Sequence, residues 1–191
     1  MVAQPDRLHM SVGEFLAIDR SNPEVRYEYI DGMAYMLAGG KLSHSRIKLN
    51  FAVLLSNLLR DSECNVFDSD AYVRLAEKRY VLPDVTVTCD PRDEDTDDAI
   101  QYPRLIVEVL SPSTEVYDRD RKFTYYRACP TIEEYVLVNT ERQSVEVRRR
   151  GQSRFWELAF FGPGEQVELA SLGLSISIEA IYQNTRVTED A

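Results

Sequence analysis

Cysteine is scarce in this 191-residue chain: Cys64, Cys89 and Cys129 are the three. Their odd number, wide separation and lack of any C-x-x-C spacing speak against a disulfide framework and against a thiolate zinc site. The expectation is a reduced, soluble, cytoplasmic protein. Long hydrophobic runs are lacking as well. The longest, Met33 to Ala38, has six residues, far short of the roughly 20 that cross a bilayer as a helix, so no membrane partner is expected. The segment Met1 to Met10 carries Asp6, Arg7 and His9 and has no hydrophobic signal core. Glycine and proline number only eight each, which excludes collagen-like and low-complexity architectures. Basic charge is in deficit, 22 Lys and Arg against 32 Asp and Glu. That balance argues against a non-specific nucleic-acid binder working through global positive charge. It leaves room for an enzyme that meets a phosphodiester through a metal ion and a few local cations.

The residues that are present have the composition of a folded globule of single-domain size. Ser11-Val-Gly-Glu14 has capping-box spacing and opens a helix from Val12 to Asp19. Tyr27 to Ile30 and Met33 to Met36 flank Asp31-Gly32, a two-residue hairpin signal. A long helix from about Ser43 to Arg60 carries Ile47, Phe51, Leu54, Leu55 and Leu58 on one stripe. Short strands follow at Ala71 to Leu75, Asp84 to Thr88 and Leu105 to Leu110. Ser111-Pro-Ser-Thr114 supplies caps for a helix from Val116 to Cys129, halted by Pro130. Strands at Glu134 to Val138 and Ser144 to Arg149 come next, then Phe155 to Phe160 and Leu174 to Ile178 around Gly162-Pro-Gly164. The helix between the Leu105 and Glu134 strands reads as a crossover, which pairs them in parallel. The fold class is therefore α/β or α+β with a mixed sheet. The acidic run Asp90, Asp93, Glu94, Asp95, Asp97 and Asp98 reads as a solvated loop. It lacks the Gly and Glu that a calcium loop needs at its sixth and twelfth positions.

The chemistry concentrates in Arg104-Leu-Ile-Val-Glu-Val-Leu110. In an extended chain Glu108 shares a face with Ile106 and Leu110, and the other face is Leu105, Val107 and Val109. Neither face reads as solvent. A buried carboxylate must be protonated, paired or metal-bound, because its desolvation costs several kcal/mol. Pro83-Asp84 opens the preceding strand, a place where proline is tolerated. Alone the dipeptide marks a turn; beside Glu108 it makes half of a carboxylate pair. Two such groups repel unless a cation lies between them, and oxygen ligation suits Mg²⁺ or Mn²⁺. Asp118 and Lys122 stand four apart on the next helix. They form either a surface ion pair worth about 0.3–0.5 kcal/mol or a lysine that reaches back over the strand end toward the metal.

Pro83-Asp84, Glu108-Val-Leu-Ser-Pro-Ser-Thr114, Asp118-Arg119 with Lys122 and Tyr126, and Glu134-Tyr-Val-Leu-Val138 together resemble the Uma family of restriction-endonuclease-like proteins. The Tyr27-to-Gly32 hairpin and His44 fit as well, so the resemblance runs from about Ser11 to Tyr182. It implies a PD-(D/E)XK nuclease core, a four-stranded mixed sheet flanked by helices, with an N-terminal hairpin and a C-terminal β extension. The chain is expected to be one restriction-endonuclease-like domain over residues 1–191, with its core at about 43–150. The resemblance also implies a metal site at Asp84 and Glu108. The usual motif places lysine two residues after the acid, where this chain has Leu110; the family's lysine moves to the following helix, here Lys122.

The expected activity is Mg²⁺- or Mn²⁺-dependent hydrolysis of DNA phosphodiesters, with Asp84, Glu108 and the carbonyl of Val109 as metal ligands. Lys122 positions water. Glu28 completes the metal shell or holds Lys122, and His44, in the first helical turn after a Ser43 cap, accepts a proton or binds phosphate through water. The alternative is a non-catalytic binding or regulatory module that keeps the fold. Gly39-Gly40-Lys41 lacks the remaining residues of a Walker loop. Arg119 and Arg121, Lys41, Arg46 and Lys48, and the run Arg148 to Arg150 are the cations available to a DNA substrate, the last most simply a solvated strand terminus. Trp156, Phe160 and Phe161 form either core or the surface of a homodimer that cuts two strands.

Overall fold

The computed structural model describes residues 9–37, 39–96, 98–152 and 155–189. Most of Met1 to Met10, Ala38 of the longest apolar run and Asp97 of the acidic run lie outside them. Among the described residues two large sheets carry the site. One has six strands in the order β10-β9-β8-β7-β6-β3. These are β3 (Asn65–Asp68), β6 (Val85–Thr88), β7 (Pro103–Val109), β8 (Glu134–Val138), β9 (Val145–Arg150) and β10 (Trp156–Phe161). The β7–β8 pair is parallel and the other pairs are antiparallel, as the crossover reading required. The second sheet, β2-β1-β5-β4, is antiparallel. It is built from β1 (Tyr27–Ile30), β2 (Met33–Met36), β4 (Val73–Ala76) and β5 (Arg79–Val81). The core sheet is thus larger than the four strands expected, with β3 and β10 extending it at both edges. A hairpin of β11 (Gln166–Leu169) and β12 (Leu174–Ser177) completes the β structure.

The β1–β2 turn follows from its residues: Asp31 and Gly32 take φ of 50° and 96°, the left-handed pair that a two-residue hairpin demands. Helix α1 (Val12–Ser21) opens with the full capping box between Ser11 and Glu14. Helix α2 (Leu42–Leu58) starts with Lys41 at its cap position and no side-chain cap, so Ser43 lies inside the first turn and does not cap. Ile47, Phe51 and Leu55 face the sheet as their spacing predicts, whereas Leu58 is 49% exposed and Leu59 is buried in its place.

Both faces of the six-stranded sheet are covered. Val85, Val87, Leu105, Val107 and Val109 pack with Ile47, Phe51 and Leu55 of α2 on one side. Ile106, Leu110, Tyr135 and Leu137 pack on the other with Tyr126, Ile132, Val73 and Val81. From Leu105 onward strand β7 is accordingly apolar on both faces, interrupted by Glu108. The crossover runs as α3 (Glu115–Tyr117), a π-helical turn (Asp118–Lys122) and α4 (Phe123–Ala128). Its Ser-Pro-Ser-Thr entry makes hydroxyl–hydroxyl bonds from Ser111 to Ser113 and Thr114, and no side-chain cap.

Three expectations are corrected. Cys64 and Cys89 form a disulfide. Antiparallel β3–β6 pairing sets Asn65 opposite Thr88, and one residue further that register brings the two cysteines face to face, which no sequence spacing announces. The acidic run is only partly solvated: Asp93 is buried and accepts hydrogen bonds from Thr88 Oγ1 at 2.6 Å and the Gln101 N–H at 2.7 Å. Arg148 to Arg150 are not a loose terminus. Arg148 donates to Glu146, Arg149 to the fully buried Glu134, and Arg150 to the carbonyls of Ile132 and Cys129. The aromatic trio divides, Phe160 being 65% exposed while Phe161 packs on the core and Trp156 lies edge-on to Phe123. No helix among the described residues is long and apolar enough to cross a membrane.

Thr86 on β6 is fully buried, and its Oγ1 has no hydrogen-bond partner among the described residues. An unsatisfied buried hydroxyl costs about 1–3 kcal/mol. Thr86→Val keeps the branched shape and should therefore raise stability by about 1 kcal/mol in equilibrium urea unfolding; a loss of stability would show that the hydroxyl has a partner.

Candidate active site

Where β6 and β7 end against α2 and the crossover helix, a cavity of about 600 Å³ opens. Its lining includes the acids Asp84, Glu108 and Asp118 with Val109 and Lys122, and also Arg26, Lys41, His44, Lys48 and Ser69. Asp84 sits directly before β6, after Pro83, and Glu108 is the penultimate residue of β7. Val85 pairs with Val107; the next step of that register sets Asp84 opposite Glu108, and cross-strand partners share a face. The Val109 N–H donates to Asp84 Oδ2 at 2.8 Å, and His44 Nε2 lies 3.3 Å from the same oxygen. Gly40 lets the imidazole lie there, since a Cβ at that position would come within 3.1 Å of His44 Nδ1.

Lys122 stands among the acids. Its Nζ lies 2.9 Å from Glu108 Oε1, 3.1 Å from Glu28 Oε1 and 3.7 Å from Asp118 Oδ1. All four side chains belong to residues no more than 7% exposed, so this is not a surface ion pair. The π-helical turn presents Asp118 and Lys122 together toward the sheet, a local widening often found at functional sites. Glu28 comes from β1 and also accepts the Leu82 N–H at 3.2 Å. The second sheet therefore contributes one wall of the cluster. Tyr126 Oη donates to Glu108 Oε1 at 2.7 Å.

The electrostatics follow from crowding. Burial by itself would lower the Lys122 ammonium, but Glu108, Glu28 and Asp118 outweigh it and hold the group well above its ordinary value. Burial pushes Glu108 up from 4.5 to about 8; Lys122 opposes the rise, and Asp118, Asp84 and Glu28 add to it. Asp118 is raised by burial against the pull of Lys122. Tyr126 is held protonated, first by burial and then by Glu108, so it stays a donor. Three carboxylates face a single buried ammonium, with Asp84 directly before the neighbouring strand, and such a cluster has room for further positive charge.

Of the five side chains expected at the site, His44, Asp84, Glu108 and Lys122 line the cavity together with Val109, and Glu28 joins them through its contact with Lys122. Arg119 does not: it pairs with Glu115 at 2.8 Å and with Glu146 on β9, away from the cavity. Arg46 and Arg121 are exposed and line no part of it. Arg26 and Ser69 were not anticipated, and Asp118, open between a surface ion pair and a partner of the lysine reaching the site, lies buried beside that lysine. The i,i+4 spacing to Lys122 and the resemblance motif pointed to Asp118, and nothing local pointed to the other two.

A family model described as "Uma2: Putative restriction endonuclease" matches residues 12–179. An uncharacterised protein of Synechocystis sp. (strain ATCC 27184 / PCC 6803 / Kazusa), slr1290, is 36% identical over 175 residues, 91% of this chain and 92% of that one. A second from the same organism, sll1609, is 31% identical over 165 residues, covering 84% and 93%. The crystal structure of a "putative nuclease belonging to DUF820" from Anabaena variabilis ATCC 29413 shares the fold with a TM-score of 0.72 at 20% identity, over 91% of this chain and 97% of that one.

Lys122→Met, which removes the one buried cation of the cluster, should destabilise the protein by about 3–5 kcal/mol. Glu108→Gln relieves crowding and should do far less harm. The folded protein holds the Glu108 proton more tightly than the unfolded chain, so that contribution to stability is complete below pH 4.5 and is lost as pH rises through about 8. Urea unfolding of metal-free protein across this range should show wild type losing stability relative to Glu108→Gln. A pH-independent difference would contradict the account.

Proposed function

The chain belongs to the Uma2 family, and from that premise we propose that it is a metal-dependent endonuclease hydrolysing DNA phosphodiester bonds in the 600 Å³ cavity. The observation that carries this reading is the excess of buried carboxylates over cations beneath a basic rim. An acidic floor suits a divalent metal ion and a basic wall suits phosphate. Residues 1–191 are read as one such domain because Glu28 of the second sheet meets, at Lys122, the cluster that Glu108 of the first sheet belongs to.

The donor set fits Mg²⁺ or Mn²⁺. Lys122 and Tyr126 both address Oε1 of Glu108, while Val109 N–H and His44 both address Oδ2 of Asp84. The second oxygen of each carboxylate has no partner among the described residues. With the Val109 carbonyl they make an all-oxygen set. No cluster of three or more His, Cys, Asp or Glu side chains able to hold a metal occurs among the described residues. Mg²⁺ does not require one, since it commonly keeps water and takes one or two carboxylates plus substrate phosphate. When bound, the ion would polarise a phosphoryl oxygen and lower the pKa of the attacking water.

The chain's own groups do the positioning. Lys122 fixes Glu108 and Glu28, and its ammonium at the cavity lining favours charge that develops on the phosphate. Tyr126 locks the Glu108 rotamer. His44 steadies Asp84 from the helix side. The second reading, a non-catalytic module, has one observation in its favour: Leu110, buried at the usual lysine position, cannot supply an ammonium, so catalysis depends on Lys122 alone.

The test is cleavage of supercoiled plasmid with Mg²⁺ or Mn²⁺. Wild type should nick or linearise it. Asp84→Ala and Glu108→Ala, each checked for folding by circular dichroism, should lose on the order of 100-fold or more of the rate. Absence of cutting by wild type with either ion, on double- and single-stranded DNA, would favour the non-catalytic module.

A further inference from the structure

We propose that Arg26, Lys48 and Ser69 form a clamp for a backbone phosphate of a polynucleotide strand, beside the carboxylate pair; this rests on the nuclease reading and adds a substrate-binding subsite to it. Ser69 is 5% exposed and lines the cavity. Its Oγ accepts hydrogen bonds from Lys48 Nζ at 2.7 Å and from Arg26 NH1 at 2.9 Å. A serine hydroxyl offers two acceptor positions and one proton. Both acceptor positions are taken by cations, so Ser69 is left as a donor, and no acceptor for its proton lies among the described residues. Two cations converging on one neutral oxygen repel each other. Lys48 has no carboxylate partner among the described residues, and Arg26 has only the exposed Asp70 at 3.1 Å. A cavity-facing arrangement of two positive groups and a directed O–H fits the non-bridging oxygens of a phosphate.

Position relates the clamp to the acids. Asp68 pairs with Val85 on the neighbouring strand, so the next step of that register sets Ser69 opposite Asp84, which in turn faces Glu108. Three adjacent strands thus end in a row of hydroxyl, carboxylate and carboxylate, with neighbouring strands about 4.8 Å apart. Lys41 at the cap position and His44, Ser45 and Lys48 of α2 line the same cavity, and the helix has no side-chain cap. The positive end of that 17-residue helix adds to the field at the clamp. The cation-holding floor and the anion-holding wall are separate groups of side chains. A chain of net charge −10 can therefore still receive a polyanion at this point.

The experiment is fluorescence anisotropy of a labelled DNA oligonucleotide with protein in chelator, across a salt series, with plasmid cleavage run in parallel. Arg26→Ala and Lys48→Ala should each weaken binding and reduce the salt slope by about 1, and Ser69→Ala should weaken binding as well. Arg60→Ala, exposed at the far end of α2, should bind as wild type does. If the three clamp variants bind and respond to salt like wild type, the clamp is wrong even where wild type cuts plasmid. If they lose binding while wild type fails to cut with either metal, the clamp stands as a nucleic-acid site and the nuclease reading falls. Displacement of the oligonucleotide by inorganic phosphate at equal phosphate concentration would assign the clamp to free phosphate and overturn its assignment to a strand.

Discussion

One ammonium group organises the molecule's polar interior. Lys122 reaches the strand ends from a π-helical turn and stands among Glu28, Glu108 and Asp118 at 2.9–3.7 Å. Buried acids of this density are unfavourable without it, since each would need to be protonated or paired. The ammonium is itself buried and needs them in return. This mutual dependence draws β1, far off in sequence and part of the second sheet, to β7 and the crossover that follows it. It leaves more negative charge than one lysine balances, and that surplus is what a divalent cation would meet.

The fold serves this cluster by covering both faces of β7. Alternating Val, Leu and Ile bury its two sides, so Glu108 has no route to bulk solvent except through the cavity. The parallel β7–β8 pair and its crossover carry Lys122 and Tyr126 back over the strand end. Asp84 is held to β7 by the Val109 N–H. The acids are therefore fixed by backbone register and not by flexible loops, which favours a preorganised site.

What the sequence made legible follows from the range of each interaction. The Asp31-Gly32 turn, the Ser11 capping box and the β8 strand are local, and they stand where their residues place them. Glu108 was readable because an acid inside a two-faced apolar strand is a conflict visible in seven residues. Asp84 and Lys122 were readable beside it, as the acid opening the preceding strand and a lysine on the following helix, and His44 fitted the resemblance. Ser69 and Arg26 were not readable, since their meeting with Lys48 depends on how β3 aligns with β6 and how the two sheets meet. The Cys64–Cys89 bond depends on the same β3–β6 register. Arg119 and Arg148 to Arg150 misled for the converse reason: cations that look free in sequence are occupied by Glu115, Glu146, Glu134 and backbone carbonyls in the fold.

A net charge of −10 and a cavity that also carries cations are compatible because the charges differ in burial: Asp84, Glu108 and Asp118 are buried, whereas Lys48 is half-buried and Arg26 and Lys41 are exposed. The account's central claim, that Asp84 and Glu108 hold one cation between them, is tested most directly by isothermal titration calorimetry of Mn²⁺ into metal-free protein. Saturable binding that disappears in both Asp84→Asn and Glu108→Gln is the predicted result. Wild-type binding that persists unchanged in both variants would contradict it.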